Sequence, residues 1–195
     1  MFNKFVSLVI VFLFGMWTIA FAHTAQGHID GFISGFTHPI FGWDHVVAMV
    51  AVGMWGAFLG KPAIWQLPIV FPLVMAFGGV LGVLNFPIPA VETGIAVSAI
   101  ILGGVVAAAA RFPLWVAAII VGFFAIFHGH AHGTELPQAA NPLTYSIGFV
   151  LSTGLLHLFG IAFGALVKWP TGQLVVRVGG GAIAMAGVGF LTGLL

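Results

Sequence analysis

Six long apolar stretches, separated by short gaps that contain Pro or Gly, dominate this chain. Each stretch is long enough to cross a hydrocarbon core about 30 Å thick. Only 5% of the 195 residues are charged, whereas a soluble domain carries about 25%, so most of the surface must face lipid. The sequence therefore predicts an all-α, polytopic integral membrane protein with a six-transmembrane-helix bundle. The predicted spans are 42–60, 63–84, 89–110, 112–130, 144–167 and 174–195.

The N-terminus has the pattern of an exported chain. Lys4 precedes an apolar stretch, and the small residues Ala20 and Ala22 fit a signal-peptide cleavage site. We predict a cleavable signal peptide, with an uncleaved anchor helix as the alternative. The predicted divisions are a signal peptide at 1–22, a periplasmic N-terminal segment at 23–41 and the six-helix transmembrane domain at 42–195.

The charges indicate an orientation. If the predicted spans alternate in direction, every Lys and Arg falls on one side and every Asp and Glu on the other. Basic residues favour the cytoplasmic side of a bacterial membrane. We therefore predict a multi-pass protein of the inner (cytoplasmic) membrane, with the mature N-terminus and the C-terminus in the periplasm.

Composition also limits the partners. A net charge of +1 without a basic run argues against nucleic acid. The run Gly179 to Gly181 lacks the Lys and Ser or Thr of a nucleotide-binding loop. Cys is absent, so any metal site must use nitrogen and oxygen ligands. The expected partners are a divalent metal ion and the lipid bilayer, and a homo-oligomer remains open.

Eight histidines stand out against so few charges, and most lie in two short motifs. The first is HPIFGWDH at 38–45, and the second is FHGHAHGTELP at 127–137. Neutral imidazole binds ions such as Ni²⁺, Co²⁺ and Zn²⁺, and carboxylate adds a harder donor. Our candidate metal ligands are His38, Asp44, His45, His128, His130, His132, Glu92 and His157. Residues that could capture the ion first are His23, His28, Asp30 and Glu135.

Spacing within the motifs constrains their geometry. In one continuous helix His38 and His45 would stand about 10.5 Å apart along the axis, too far to hold one ion. We therefore predict a bend at Gly42, with the helix beginning there and His38 in a loop that folds back. His128 and His132 are neighbours on one helix face, provided that the helix continues through Gly129.

Some of these residues have simpler explanations. His157 lies deep in a predicted span, where it could bind an ion or hydrogen-bond to a neighbouring helix. Glu92 could occupy a helix N-terminus because the helix dipole favours a carboxylate there. His23 and His28 could belong to a solvated tail.

The two motifs resemble the signatures of the HupE/UreJ family of hydrogenase and urease accessory membrane proteins. HPIFGWDH matches the HPxxGxDH pattern of that family, and FHGHAHGTELP is similar to its second signature. The resemblance covers essentially the whole chain. It implies a secondary permease that takes up Ni²⁺, or Co²⁺, from periplasm to cytoplasm for the maturation of metalloenzymes such as hydrogenase or urease. It also implies metal roles for the histidines of both motifs and for Asp44.

We therefore expect a transporter rather than an enzyme, with no organic cofactor and with Zn²⁺ as the less favoured ion. Two other functions use the same ligands. An intramembrane metallohydrolase would hold its metal tightly and use Glu92 or Glu135 as a general base. A metal sensor or buffer on the periplasmic side would bind the ion without transporting it.

Overall fold

The computed structural model describes residues 31–135 and 142–195, and this part of the chain is helical without a β-strand. The predicted signal peptide, its cleavage site and the candidates His23, His28 and Asp30 lie outside the described residues. The helices are α1 (Gly31–Phe41), α2 (Trp43–Leu59), α3 (Ala63–Val83), α4 (Val91–Ala107), α5 (Leu114–Thr134), α6 (Pro142–Gly164) and α7 (Pro170–Thr192), with a 3₁₀ turn at Ala165–Lys168.

The helix lengths fit a multi-pass membrane protein. Four segments are long and apolar enough to cross a membrane, namely α3, α5, α7, and α6 with its 3₁₀ turn. Helices α1 and α2 together make a fifth if they are one span broken by a 78° bend. Helix α4 has 17 residues and is about 26 Å long, slightly less than the hydrocarbon core. The all-helical membrane fold is confirmed, whereas the count of six spans stays a prediction.

The outer surface of the bundle is apolar, as contact with lipid requires. Large hydrophobic side chains are exposed along helices α3, α5, α6 and α7, among them Leu73, Phe77, Trp115, Phe123, Leu155 and Met185. A second apolar set is fully buried where α2, α3, α4 and α5 meet, including Met49, Trp55, Phe71, Leu102 and Val121.

The two ends of the bundle carry opposite charges. At one end the Arg111 guanidinium lies 4.7 Å from the centroid of the Phe58 ring, and Arg177 Nε donates to the Ala107 carbonyl at 2.8 Å. The first contact joins the end of α2 to the connection that follows α4, and the second joins the end of α4 to the second turn of α7. Asp44 and Glu92 lie in the first turns of α2 and α4, at the opposite end. The alternation of charge seen in the sequence is thus a property of the folded bundle.

Helices that follow one another along the chain are not the most closely packed. The most extensive contacts join α3 to α5, α4 to α7, and α6 to both α1 and α2. Helices α3, α4 and α5 are joined by short connections and alternate in direction, so α3 and α5 run parallel. The order of helices along the chain therefore indicates their relative direction, but it does not indicate which helices pack against one another.

Glycines allow α3 and α5 to approach closely. A Cβ atom on Gly129 would collide with the Met75 carbonyl, and one on Gly133 would meet the backbone of Gly79 and Gly82. Small residues permit such backbone contacts between membrane helices. We call the contact among Gly79, Gly82, Gly129 and Gly133 the glycine seam. It fixes the position of the last two turns of α5 along α3, and those turns carry the second histidine motif.

Candidate metal site

The first motif bends sharply at Gly42. Gly42 is the only residue between α1 and α2, its backbone is extended, and the two helix axes meet at 78°. The predicted bend is therefore confirmed. The predicted loop at His38 is wrong, because His38 lies in the last turn of α1. Helix α1 packs closely against α6, since a Cβ atom on Gly35 would collide with the Tyr145 carbonyl of that helix.

The second motif is helical throughout. Helix α5 continues through Gly129 and ends at Thr134, so His128 and His132 lie one turn apart on the same face. The His132 ring centroid is 4.8 Å from that of His38 and 4.3 Å from that of His45. The His45 and His128 centroids are 4.7 Å apart. The bend at Gly42 thus lets one histidine motif close around the other.

These contacts form a continuous row, which we call the histidine row: Glu135, His38, His132, His45 and His128. At its outer end, Glu135 Oε2 lies 3.4 Å from His38 Nε2. This end is accessible, because the Glu135 and His38 side chains are 52% and 33% exposed. Its inner end is closed, because His128 is fully buried. The row leads from the surface at the acidic end of the bundle into its interior.

The outer end of the row has the geometry of a metal site. His38, His132 and Glu135 each offer one ligand atom, and these atoms all lie within 4.8 Å of one another. The pKa of Glu135 is lowered from its ordinary value chiefly by the hydrogen bond with the His38 side chain, while partial burial acts in the opposite direction. Glu135 therefore presents a carboxylate anion to an arriving cation.

Asp44 orients the next ligand. Its Oδ1 atom lies 2.7 Å from Nδ1 of His45, and a carboxylate can only accept from that nitrogen. The Nε2 atom of His45 is buried and has no hydrogen-bond partner in the described part of the chain. A carboxylate behind a histidine fixes its tautomer and raises its basicity as a ligand. Asp44 therefore contacts the row through the His45 ring, at the nitrogen opposite the free one.

A phenyl ring separates the row from a deeper histidine. The Phe71 ring lies edge-on to His128, with centroids 5.5 Å apart, and to His157, with centroids 5.4 Å apart. His157 is 2% exposed, and neither of its ring nitrogens has a hydrogen-bond partner among the described residues. The described contacts thus leave His157 free to bind a ligand. They do not include the hydrogen bond to a neighbouring helix that the sequence also allowed.

Two candidates from the sequence lie apart from the row. His130 points to the other side of α5, where its Nε2 atom donates to the Phe86 carbonyl at 2.8 Å. Glu92 is exposed in the first turn of α4, which is the position that the helix dipole favours for a carboxylate. The structure therefore brings His130 into a connection between helices, and it leaves Glu92 at the acidic surface.

Sequence reasoning missed several residues that touch the row, among them Phe71 and Ser98 at its inner end. Phe71 is one of many apolar residues of α3, and nothing in its local pattern marks it. Ser98 is a fully buried serine of α4 whose Oγ atom lies 2.9 Å from Nε2 of His128. A hydroxyl within an otherwise apolar span was a detectable signal, because buried polar groups in membrane helices find partners.

A cavity of about 380 Å³ opens beside the row. His132 and Tyr145 contribute to its wall, and the rest of the lining is almost entirely apolar. Its rim includes the exposed side chains of Val83 and Val150. The cavity therefore connects the buried face of His132 with the apolar surface between α3, α5 and α6.

Comparison with known proteins finds similarity over most of the chain. The sequence model of a family described as HupE / UreJ protein matches residues 11–190. Protein HupE of Rhizobium leguminosarum bv. viciae is 48% identical over 176 residues, which cover 90% of this chain and 92% of that protein. No solved structure matches this chain.

Proposed function

The chain belongs to the HupE/UreJ family, and on that premise we propose that it is a secondary permease for Ni²⁺, or for Co²⁺. It takes up the ion from the periplasm and delivers it to the cytoplasm for metalloenzymes such as hydrogenase or urease. The observation that carries this proposal is the histidine row, in which ligand groups lie side by side from the exposed Glu135 to the buried His128.

The chemistry of the row suits stepwise removal of water from a cation. Glu135 and His38 meet the hydrated ion at the surface and replace part of its water shell. His132 is the shared member, since its ring contacts both His38 and His45. The ion can therefore move from the outer ligands to His45 and His128 without crossing a region that lacks ligands. Neutral imidazole nitrogens suit Ni²⁺ and Co²⁺ better than Mg²⁺ or Ca²⁺.

Beyond His128 the ion would pass the Phe71 ring and reach His157. The basic end of the bundle, with Arg111 and Arg177, would face the cytoplasm. Release there would be into a weakly binding exit, because the histidines of the described helices lie in the outer and middle parts of the bundle. A metal gradient, a proton gradient or trapping of the ion inside the cell would drive uptake.

Uptake by the purified full-length protein in liposomes tests the proposal. We expect Ni²⁺ or Co²⁺ to accumulate, Zn²⁺ to accumulate less, and His132→Ala to reduce uptake by tenfold or more while the protein still folds. Binding of Ni²⁺ without accumulation in the wild-type liposomes would instead identify a metal sensor or buffer. Uptake that is unchanged in His132→Ala would exclude the histidine row as the path.

One observation favours a second candidate, an intramembrane metallohydrolase. The apolar cavity beside His132 could admit the chain of a lipid-borne substrate to a metal held by the row. Such an enzyme keeps its metal and needs a general base, for which Glu135 lies close to the ligands. Retention of stoichiometric Zn²⁺ through purification, together with hydrolysis of a lipid ester, would support this candidate over the permease.

A further inference from the structure

One buried hydroxyl touches the histidine row without belonging to either histidine motif. Ser98 Oγ lies 2.6 Å from the carbonyl oxygen of Ile95 and 2.9 Å from Nε2 of His128. A carbonyl oxygen only accepts hydrogen bonds, so the single hydroxyl hydrogen of Ser98 is donated to Ile95. Ser98 Oγ can then only accept from His128. The hydrogen of the His128 ring must therefore sit on Nε2.

This assignment decides which nitrogen of His128 can bind an ion. A neutral imidazole carries one N–H group and one nitrogen with a free lone pair. With the hydrogen on Nε2, the lone pair of His128 is on Nδ1. That atom is buried and has no hydrogen-bond partner in the described part of the chain. Its ring lies between His45 and Phe71, at the inner end of the row.

We propose that Ser98 is a positioning residue, whose hydroxyl holds His128 as the Nε2–H tautomer and so presents the Nδ1 lone pair to a divalent cation. The role of this lone pair in transport rests on the proposed permease function. Asp44 does the converse at His45, where it accepts from Nδ1–H and leaves Nε2 free. Neighbouring histidines of the row thus use opposite nitrogens.

The two acceptors also differ in charge. The Asp44 carboxylate is an anion and strengthens His45 as a ligand, whereas the Ser98 hydroxyl is neutral and leaves His128 a weaker one. A weaker ligand at the inner end suits an ion that must leave the row. Ser98 therefore determines both the tautomer of His128 and its moderate affinity for the cation.

The test compares the full-length wild-type protein with Ser98→Ala, Ser98→Thr and a matched control, Ser152→Ala. Ser152 is also fully buried, but its hydroxyl has no partner among the described residues. Proteins carrying ¹⁵N-labelled histidine report the tautomer by NMR, with the His128 signal identified by its loss in His128→Gln. We expect the Nε2–H tautomer in the wild type, in Ser98→Thr and in Ser152→Ala, but a mixture in Ser98→Ala.

The same variants are titrated with Ni²⁺ alone and assayed for uptake. Ser98→Ala should bind Ni²⁺ roughly 10- to 100-fold more weakly, as is typical when the partner of a ligating histidine is removed. The loss should appear mainly in the KM of uptake, and Ser98→Thr should restore it. Should Ser98→Ala fail to fold, Ser98→Cys gives the same readouts, because a thiol is a much weaker acceptor than a hydroxyl.

Two results would overturn the role of Ser98. One is a wild-type His128 with its hydrogen on Nδ1, and the other is an unchanged tautomer and Ni²⁺ affinity in Ser98→Ala. A wild-type protein that binds Ni²⁺ but never transports it would overturn the permease function alone. In that case the tautomer and affinity shifts in Ser98→Ala would still support Ser98 as a positioning residue.

Discussion

At the scale of single residues, position on a helix decides the role of a histidine more than membership of a motif. His130 and His132 are two residues apart in the same motif and are almost equally buried. Two residues correspond to about 200° around a helix, so the two rings point in nearly opposite directions. His132 joins the histidine row, whereas His130 ties α5 to the segment that follows α3, through its hydrogen bond with the Phe86 carbonyl.

This difference predicts opposite outcomes for two substitutions. His132→Ala should reduce Ni²⁺ uptake by tenfold or more, on the order expected for the loss of a metal ligand or its support. His130→Gln should retain most of the uptake, because its amide nitrogen can take the position of Nε2 and still donate to the Phe86 carbonyl. Uptake per folded protein in liposomes measures both. Equal losses in the two variants would contradict a separate role for His130.

Asp44 gives a second prediction at this scale. The amide of Asp44→Asn can still accept from His45 Nδ1, but it removes the negative charge behind the ring. We expect Ni²⁺ affinity to fall roughly 10-fold in Asp44→Asn and further in Asp44→Ala, which also frees the ring. Titration of the purified proteins with Ni²⁺ measures both steps. If the two variants bind equally well, Asp44 does not act through the orientation of His45.

At the scale of helices, the site depends on how closely α5 packs against α3. The backbone of Gly129 touches the backbone of Met75 one turn above Phe71, so this contact fixes the height of His128 relative to the phenyl ring. The bend between α1 and α2 at Gly42 and the close contact between α3 and α5 therefore bring the two histidine motifs together. Neither feature involves a metal ligand.

Gly129→Ala should consequently damage the site without altering a ligand. Its methyl group would collide with the Met75 carbonyl and push α5 away from α3, so both thermal stability and Ni²⁺ uptake should fall. Gly181→Ala is the matched control, because a Cβ atom there meets nothing within 4 Å and alanine favours the helix by up to about 1 kcal/mol. A wild-type melting temperature and wild-type Ni²⁺ uptake in Gly129→Ala would show that the site does not depend on the close contact between α3 and α5.

At the scale of the whole molecule, the separation of charge predicts an orientation. The acidic end holds the entrance to the histidine row, and the basic end holds Arg111 and Arg177. Because basic residues favour the cytoplasm, the entrance should face the periplasm. Such an orientation would fit the proposed uptake of the ion from the periplasm.

Single cysteines can test the orientation directly, because the chain contains none of its own. Thr93→Cys lies at the acidic end, in the first turn of α4, and Thr171→Cys lies at the basic end, in the first turn of α7. A membrane-impermeant maleimide added to spheroplasts should label Thr93→Cys and leave Thr171→Cys unlabelled until the membrane is opened. The reverse labelling pattern would place the entrance to the histidine row on the cytoplasmic side and would contradict the proposed uptake from the periplasm.

Much of this protein follows from its sequence, because lipid imposes simple rules. Apolar stretches of sufficient length had to become helices, and the alternation of charge along the chain predicted which helix ends share a side. The bend at Gly42 followed from spacing, since His38 and His45 on a straight helix could not serve one ion. The two histidine motifs also carried the family resemblance, which the comparisons confirm.

Only the tertiary structure decided which of these residues meet. Contacts between α3 and α5 and between α1 and α6 depend on glycines that fit one particular backbone, and no local pattern specifies the partner of a glycine. For the same reason the sequence placed His38 in a loop, did not foresee the contact of His130 with Phe86, and missed Ser98 and Phe71. A side chain's own segment determines that it is buried, whereas the element packed against that segment determines what it touches.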